Sequence, residues 1–293
     1  MARDDLRRIL GADAEWRLFG TGPAIVNAFE KSELDLAYVG LPPAIIGIAR
    51  GVNIICIAGG HEEGTVLAGR KEFSSFPKED LQFILGQFTG KKIGVPGTGS
   101  IHDVIIRDYI SRFNLRDIEI VNFPWADQVL DAMVKGSISA AVGTPALAVA
   151  VKTYADGKVL YPPSKLWPHN PSYGIVADKG FLDRDRDLVE KFLVLHEEAT
   201  AFIRNKPCEA ARTISNFVGF VDPEFVLDTF RVSPKYCAQL TDGYMASTME
   251  FVAPMKKLGY IGREIASSEI FDASLIMKIH PGKDHYEDGI AEV

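Results

Sequence analysis

Positive charge is in short supply. Lys and Arg number 32 against 39 Asp and Glu, a formal net charge of −7. A deficit of that sign excludes the basic footprint of a nucleic-acid binder and the polybasic patch of a membrane-surface protein. Cysteine is scarce too. Cys56, Cys208 and Cys237 stand far apart, with no CxxC pair and no zinc spacing, and read as buried unpaired thiols. No apolar run reaches the roughly 18 residues of a membrane span. The opening stretch, MARDDLRRILG, is a charged amphipathic helix and not an export signal, so the chain as written would stay in the cytoplasm. Catalytic motifs are missing as well. There is no GxSxG elbow. His61-Glu62-Glu63 and His196-Glu197-Glu198 begin like HExxH, but Thr65 and Thr200 stand where the second His belongs. No catalytic residue, metal site or cofactor is expected.

What remains is globular composition. The chain has 293 residues, 47% hydrophobic and 24% charged, enough for one large domain or two of ordinary size. An internal repeat organises it. At a shift of 104 residues, Arg3, Asp4, Arg8, Asp13, Glu15, Phe19, Ala28 and Lys31 meet Arg107, Asp108, Arg112, Asp117, Glu119, Phe123, Ala132 and Lys135. Dropping one residue then aligns Gly40 with Gly143 and Pro42 with Pro145.

Each copy reads helix, strand, helix, strand, and a Gly/Pro turn into another helix. The strands are AEWRLF (14–19) and LDLAYVG (34–40) in copy one, IEIVNF (118–123) and ISAAVG (138–143) in copy two. Strands alternating with helical patterns predict βαβ units, mostly parallel sheets and two similar α/β lobes. Copy two is preceded by the strand KKIGV and a glycine turn, whereas copy one begins at Met1 inside the matching helix. The first lobe is therefore expected to lack its first strand. NIICIAGG (53–60) and GTVLAGR (64–70) read as strands, RDRDLVEKFLVLHEEATAFIRN (184–205) as a helix, and the polar tail after His280 as loose.

The strand ends carry the candidate chemistry. Val95-Pro96-Gly97-Thr98-Gly99-Ser100 joins a strand to a helix with Ser100 as its cap. The glycines allow close approach, and a helix start with free N–H groups favours an anion. It is neither a Walker A loop nor GxGxxG, and an ordinary turn with a capped helix is the plain alternative. Gly20-Thr21-Gly22-Pro23, Gly40-Leu41-Pro42-Pro43 and Gly143-Thr144-Pro145 are similar turns after strands. Ligands of parallel α/β sheets bind at such ends, so facing lobes would line one cleft with them. His61, just past a glycine-rich strand end, and His102, near a helix start, are further ligand candidates. His196 reads as structural. Among aromatics near the turns, Tyr38 reads as core, while Trp125 (aligned with Thr21) and Tyr173 are kept as candidate contacts.

"DAEWRLFGTGPAIVNAFEKSELDLAYVGLPPAIIGIARG", "FTGKKIGVPGTGSIHDVIIRDYI" and "ADQVLDAMVKGSISAAVGTPALAVA" resemble the substrate-binding proteins of ABC transporters for nitrate, sulfonate, taurine and thiamine precursors, the SsuA/NMT1-like family. The resemblance covers roughly residues 1–200. It implies a type II periplasmic-binding-protein fold: two α/β lobes joined by two crossing strands, near 64–92 and 172–180. Lobe one would be 1–88 plus 179–293, and lobe two 89–178. It also implies ligand contacts at Thr21, Gly22, Gly40, Leu41, Thr98, Gly99, Ser100 and Thr144. The implied function is non-catalytic capture of a small polar or anionic solute by a monomer. Delivery would be to an ABC permease and ATPase, outside the cytoplasm if the full-length gene carries a signal. A cytoplasmic enzyme of menaquinone or thiamine biosynthesis on the same fold is the rival reading.

Overall fold

The computed structural model describes residues 6–291. The amphipathic N-terminal helix is present as α1 (Leu6–Leu10), its first five residues lying outside the described ones. Then follow α2 (Gly22–Glu30), β1 (Leu36–Val39), α3 (Leu41–Ala49), β2 (Ile54–Glu62), β3 (Val66–Arg70), α4 (Leu81–Gly86), β4 (Lys91–Pro96), α5 (Ile101–Arg112), β5 (Ile118–Phe123), α6 (Ala126–Val134), β6 (Ala140–Gly143), α7 (Pro145–Tyr154), β7 (Gly157–Tyr161) and β8 (Pro171–Asp178). Helices complete the chain, among them α8 (Lys179–Arg184), α9 (Arg186–Asn205), α10 (Pro207–Val218) and α11 (Pro223–Val232). α9 carries its apolar stripe inward, with Val189, Leu193 and Leu195 buried. Among the described residues no helix is long and apolar enough to cross a membrane.

Two sheets form, an antiparallel one ordered β1-β8-β2 and a mixed one ordered β5-β4-β6-β3-β7. The repeat is visible in them. α2 and α6, β1 and β6, and α3 and α7 start 104 residues apart. Each half receives one strand from the other: β3 follows β2 but inserts between β6 and β7, and β8 follows β7 but inserts between β1 and β2. Every ladder made by β3 or β8 is antiparallel, while β5-β4-β6 is parallel. The exchanged strands thus carry all the antiparallel ladders, and β5-β4-β6 carries the parallel ones. The chain passes between the two sheets at 63–65 and 162–170, ahead of β3 and β8.

The correspondence leaves one gap. β6, β3 and β7 answer to β1, β8 and β2, and β5 answers to 14–19, but among the described residues no strand answers to β4. The expected strand at 14–19 does not form. The segment is without regular structure, and Leu18 is 87% exposed. Its copy β5 is held by a six-residue parallel register with β4. Without such a neighbour an extended segment has no ladder to join.

The main core runs through both halves, from Ile45, Ile54 and Ile57 to Ile93, Val104 and Val142. The tail expected to be loose is pinned. Tyr286 is 2% exposed and its hydroxyl donates to the carbonyls of Cys237 (2.7 Å) and Gln239 (3.0 Å). One buried aromatic outweighs the polarity of its neighbours.

Candidate functional site

Helix starts converge on one cavity of about 230 Å³. Gly20–Gly22 and Ile25 bring the start of α2, Gly40 and Pro43 that of α3, Ser100–His102 that of α5, Ala126 that of α6 and Thr144 that of α7; Ser172 and Tyr173 of β8 close one side. The first N–H groups of each helix lack intrahelical partners and carry its positive dipole end. The volume suits a small solute, below the range of ordinary drug-sized pockets.

Three caps add donors. Thr21 accepts from Ala24 N–H (3.4 Å), Ser100 from Asp103 N–H (3.2 Å) and Thr144 from Leu147 N–H (3.3 Å). With the hydroxyl oxygens occupied as acceptors, the hydroxyl protons are left to donate toward a ligand. Among the described residues, no Asp, Glu, Lys or Arg lines the cavity. His102 does, with Nδ1 3.0 Å from Thr65 Oγ1. Burial holds its imidazole down at about 4 against a weaker upward pull from Asp103, so it is neutral at pH 7. Tyr38 and Tyr173, edge to face at 5.7 Å, with Phe19 and Ile25, form an apolar wall. The site therefore offers many hydrogen-bond donors, no counter-charge, and an apolar side.

Of the expected contacts, Thr21, Gly22, Gly40, Ser100, His102, Thr144 and Tyr173 line this cavity, and the others do not. Leu41 is fully buried in the core. His61 stacks on Tyr236 at 4.4 Å, and its Nε2 meets Ser233 Oγ at 2.8 Å; burial lowers it to about 4. His196 is structural as expected, bonded to the Gly59 carbonyl at 2.8 Å. Thr98 faces solvent. Gly99 spends its N–H on Asp103 Oδ2 (2.9 Å). That carboxylate also takes Arg107 Nε (2.8 Å), Asn122 Nδ2 (2.9 Å) and the Tyr260 hydroxyl, so it clamps the glycine turn. Trp125 stands at the rim, where a Cβ on Gly20 would come 2.7 Å from its ring. Sequence reading missed Phe19, Ser172 and the wall role of Tyr38. Strand alternation beside a turn is the one signal that could have flagged Tyr38.

The turns of the two halves touch. A Cβ on Gly97, whose φ is +77°, would lie 2.7 Å from Thr21 Cγ2. A wider groove of about 360 Å³ adjoins at Ala126 and Thr144, but Leu147, Phe220, Phe225 and Phe230 make its walls apolar.

A model of the NMT1-like family matches residues 1–218. A Brucella abortus (strain 2308) protein, provisionally named a binding protein, is 26% identical over 214 residues, 71% of this chain and 63% of that protein. The chain thus spans under two thirds of the length of such curated relatives. Among solved structures, the alkanesulfonate-binding protein SsuA from Xanthomonas axonopodis pv. citri, bound to MOPS, superposes with a TM-score of 0.76 at 14% identity, covering 91% of this chain and 92% of that one. The periplasmic nitrate-binding protein NrtA from Synechocystis PCC 6803 gives 0.72 at 12% identity, covering 93% and 81%. At such identities the likeness establishes the fold.

Proposed function

The chain belongs to the NMT1-like family, and on that premise we propose that it is the solute-binding component of an ABC-type importer. The ligand is a small polar or anionic solute of the nitrate, sulfonate or thiamine-precursor class. One observation carries the reading: five helix starts and three cap hydroxyls surround a cavity that no charged side chain lines among the described residues. Helix dipoles and N–H groups favour an anion there. The Tyr38–Tyr173 wall would cover its apolar part.

The two halves act as lobes that open and close about the crossings at 63–65 and 162–170, without covalent chemistry. The partners are a permease and an ATPase, the working form is a monomer, and the setting is outside the cytoplasm. The SsuA and NrtA likenesses support this assignment.

The test is thermal unfolding with a panel of nitrate, taurine, short alkanesulfonates, pyrimidine precursors of thiamine, phosphate and carboxylates. One class should raise the melting temperature and be recovered unchanged. A panel with no stabiliser, or a compound consumed on incubation, overturns the reading.

A further inference from the structure

Away from the cavity, both crossings meet in a cluster of acid and imidazole. Glu62 ends β2 and Glu63 begins the outgoing crossing, while His169 lies on the returning one, just before β8. One ligand atom from each falls within 4.8 Å of the others. His169 Nδ1 is 3.0 Å from Glu62 Oε2, and its backbone N–H donates to Glu63 Oε1 at 3.1 Å. The Glu62 and Glu63 backbones are fixed by N–H bonds to the carbonyls of Lys235 (3.0 Å) and Asn170 (2.9 Å).

The second observation is an orphan. Glu62 is 0% exposed, and its Oε1 has no hydrogen-bond partner among the described residues. Burying a carboxylate oxygen unpartnered is costly unless something cationic meets it. Lys235 does not fill the role. Its Nζ sits on Glu63 Oε1 (3.2 Å) and on Glu287 Oε1 (2.7 Å). One lysine thus serves two carboxylates, and Glu62 makes a third.

We infer that Glu62, Glu63 and His169 form a binding site for a divalent transition-metal ion of the zinc class, linking the two crossings. One imidazole with two carboxylates is a donor set for such an ion rather than for calcium, which takes oxygen ligands only. Two ligands on one tetrahedral zinc stand about 3.3 Å apart for bonds of about 2.0–2.1 Å, close to the His169–Glu62 separation. His169 is 45% exposed on its side chain, which gives the ion a route from solvent and leaves a coordination position for water. The ion displaces Lys235 from Glu63, and Lys235 keeps Glu287. Sequence motifs could not show the site. His169 stands 106 residues from Glu63 in sequence, and only the fold brings them together.

The inference is independent of the solute reading. The experiment is Zn²⁺ titration of the untagged chain, after chelator dialysis, by calorimetry and thermal unfolding. One ion should bind per chain and raise the melting temperature, with Ca²⁺ giving no shift. His169→Ala should weaken Zn²⁺ binding at least tenfold, as should Glu62→Gln. The exposed His285, paired with Asp288 at 2.7 Å, is the control, and His285→Ala should leave binding unchanged. Co²⁺ should give the visible absorption of a tetrahedral ion, lost in His169→Ala. No Zn²⁺ binding, or binding that survives His169→Ala, overturns the inference. Because His169 is on the surface, that variant reads out even if Glu62→Gln does not fold.

Discussion

Two histidines drawn to the same kind of place in the sequence behave alike as acids and differently as contacts. His61 and His102 are both pushed to about 4 by burial, but only His102 faces the cavity. The unfolded chain protonates them near 6.5 while the folded chain resists until about 4. Acid therefore favours the unfolded state across that window, and the stability they confer is fully present above it. Each can cost on the order of 3 kcal/mol by its lower end. Melting temperature should fall from pH 6.5 toward 4, and His102→Gln should flatten that fall, as calorimetry across pH would show. Glu62 works the other way, since burial raises it to about 7 and its contribution is lost as pH rises through that value. At Gly97 the constraint is steric. With φ at +77° and Thr21 2.7 Å from a would-be Cβ, Gly97→Ala should cost about 1–3 kcal/mol, read as a lower urea midpoint. Of the site's residues, those that cap helices were legible from turn chemistry. Leu41, Thr98 and Gly99 were not, because a turn's sequence says nothing of which way each residue faces, nor that Asp103 would take the Gly99 N–H.

At the scale of elements the two repeat copies make an internal control. β5 is paired along its length to β4, and 14–19 makes no backbone hydrogen bond to another described residue. Hydrogen exchange should therefore find 118–123 protected and 14–19 exchanging near the free-peptide rate; equal protection would contradict the pairing. Leu18→Ser should change stability by less than about 0.5 kcal/mol, because the side chain is already in solvent. A cap mutation such as Ser100→Ala should cost ~0.5–2 kcal/mol and weaken solute binding as well, with melting and titration read together. Most strands and helices were legible from periodicity and from the repeat. The exchange of β3 and β8 was not, since a strand's pattern does not record which sheet it joins. Nor did the polar tail betray that Tyr286 anchors it.

For the whole molecule, closure about the crossings should be visible in solution. A compact chain of 293 residues has a radius of gyration of about 19 Å. X-ray scattering should approach that value with a stabilising solute and exceed it without one, and an unchanged radius would argue against lobe motion. The contact between the Thr21 and Gly97 turns, and that of Gly20 with Trp125, then has a kinetic meaning. With opposite turns in van der Waals contact, part of the cavity's rim is bridged, and on the proposed lobe motion a solute enters fastest after a spontaneous opening. The observed binding rate in stopped-flow fluorescence should level off as solute concentration rises, at the opening rate itself. Residence time would be governed by the same event in reverse, so the protein's timing would be set by the turns more than by the strength of its grip.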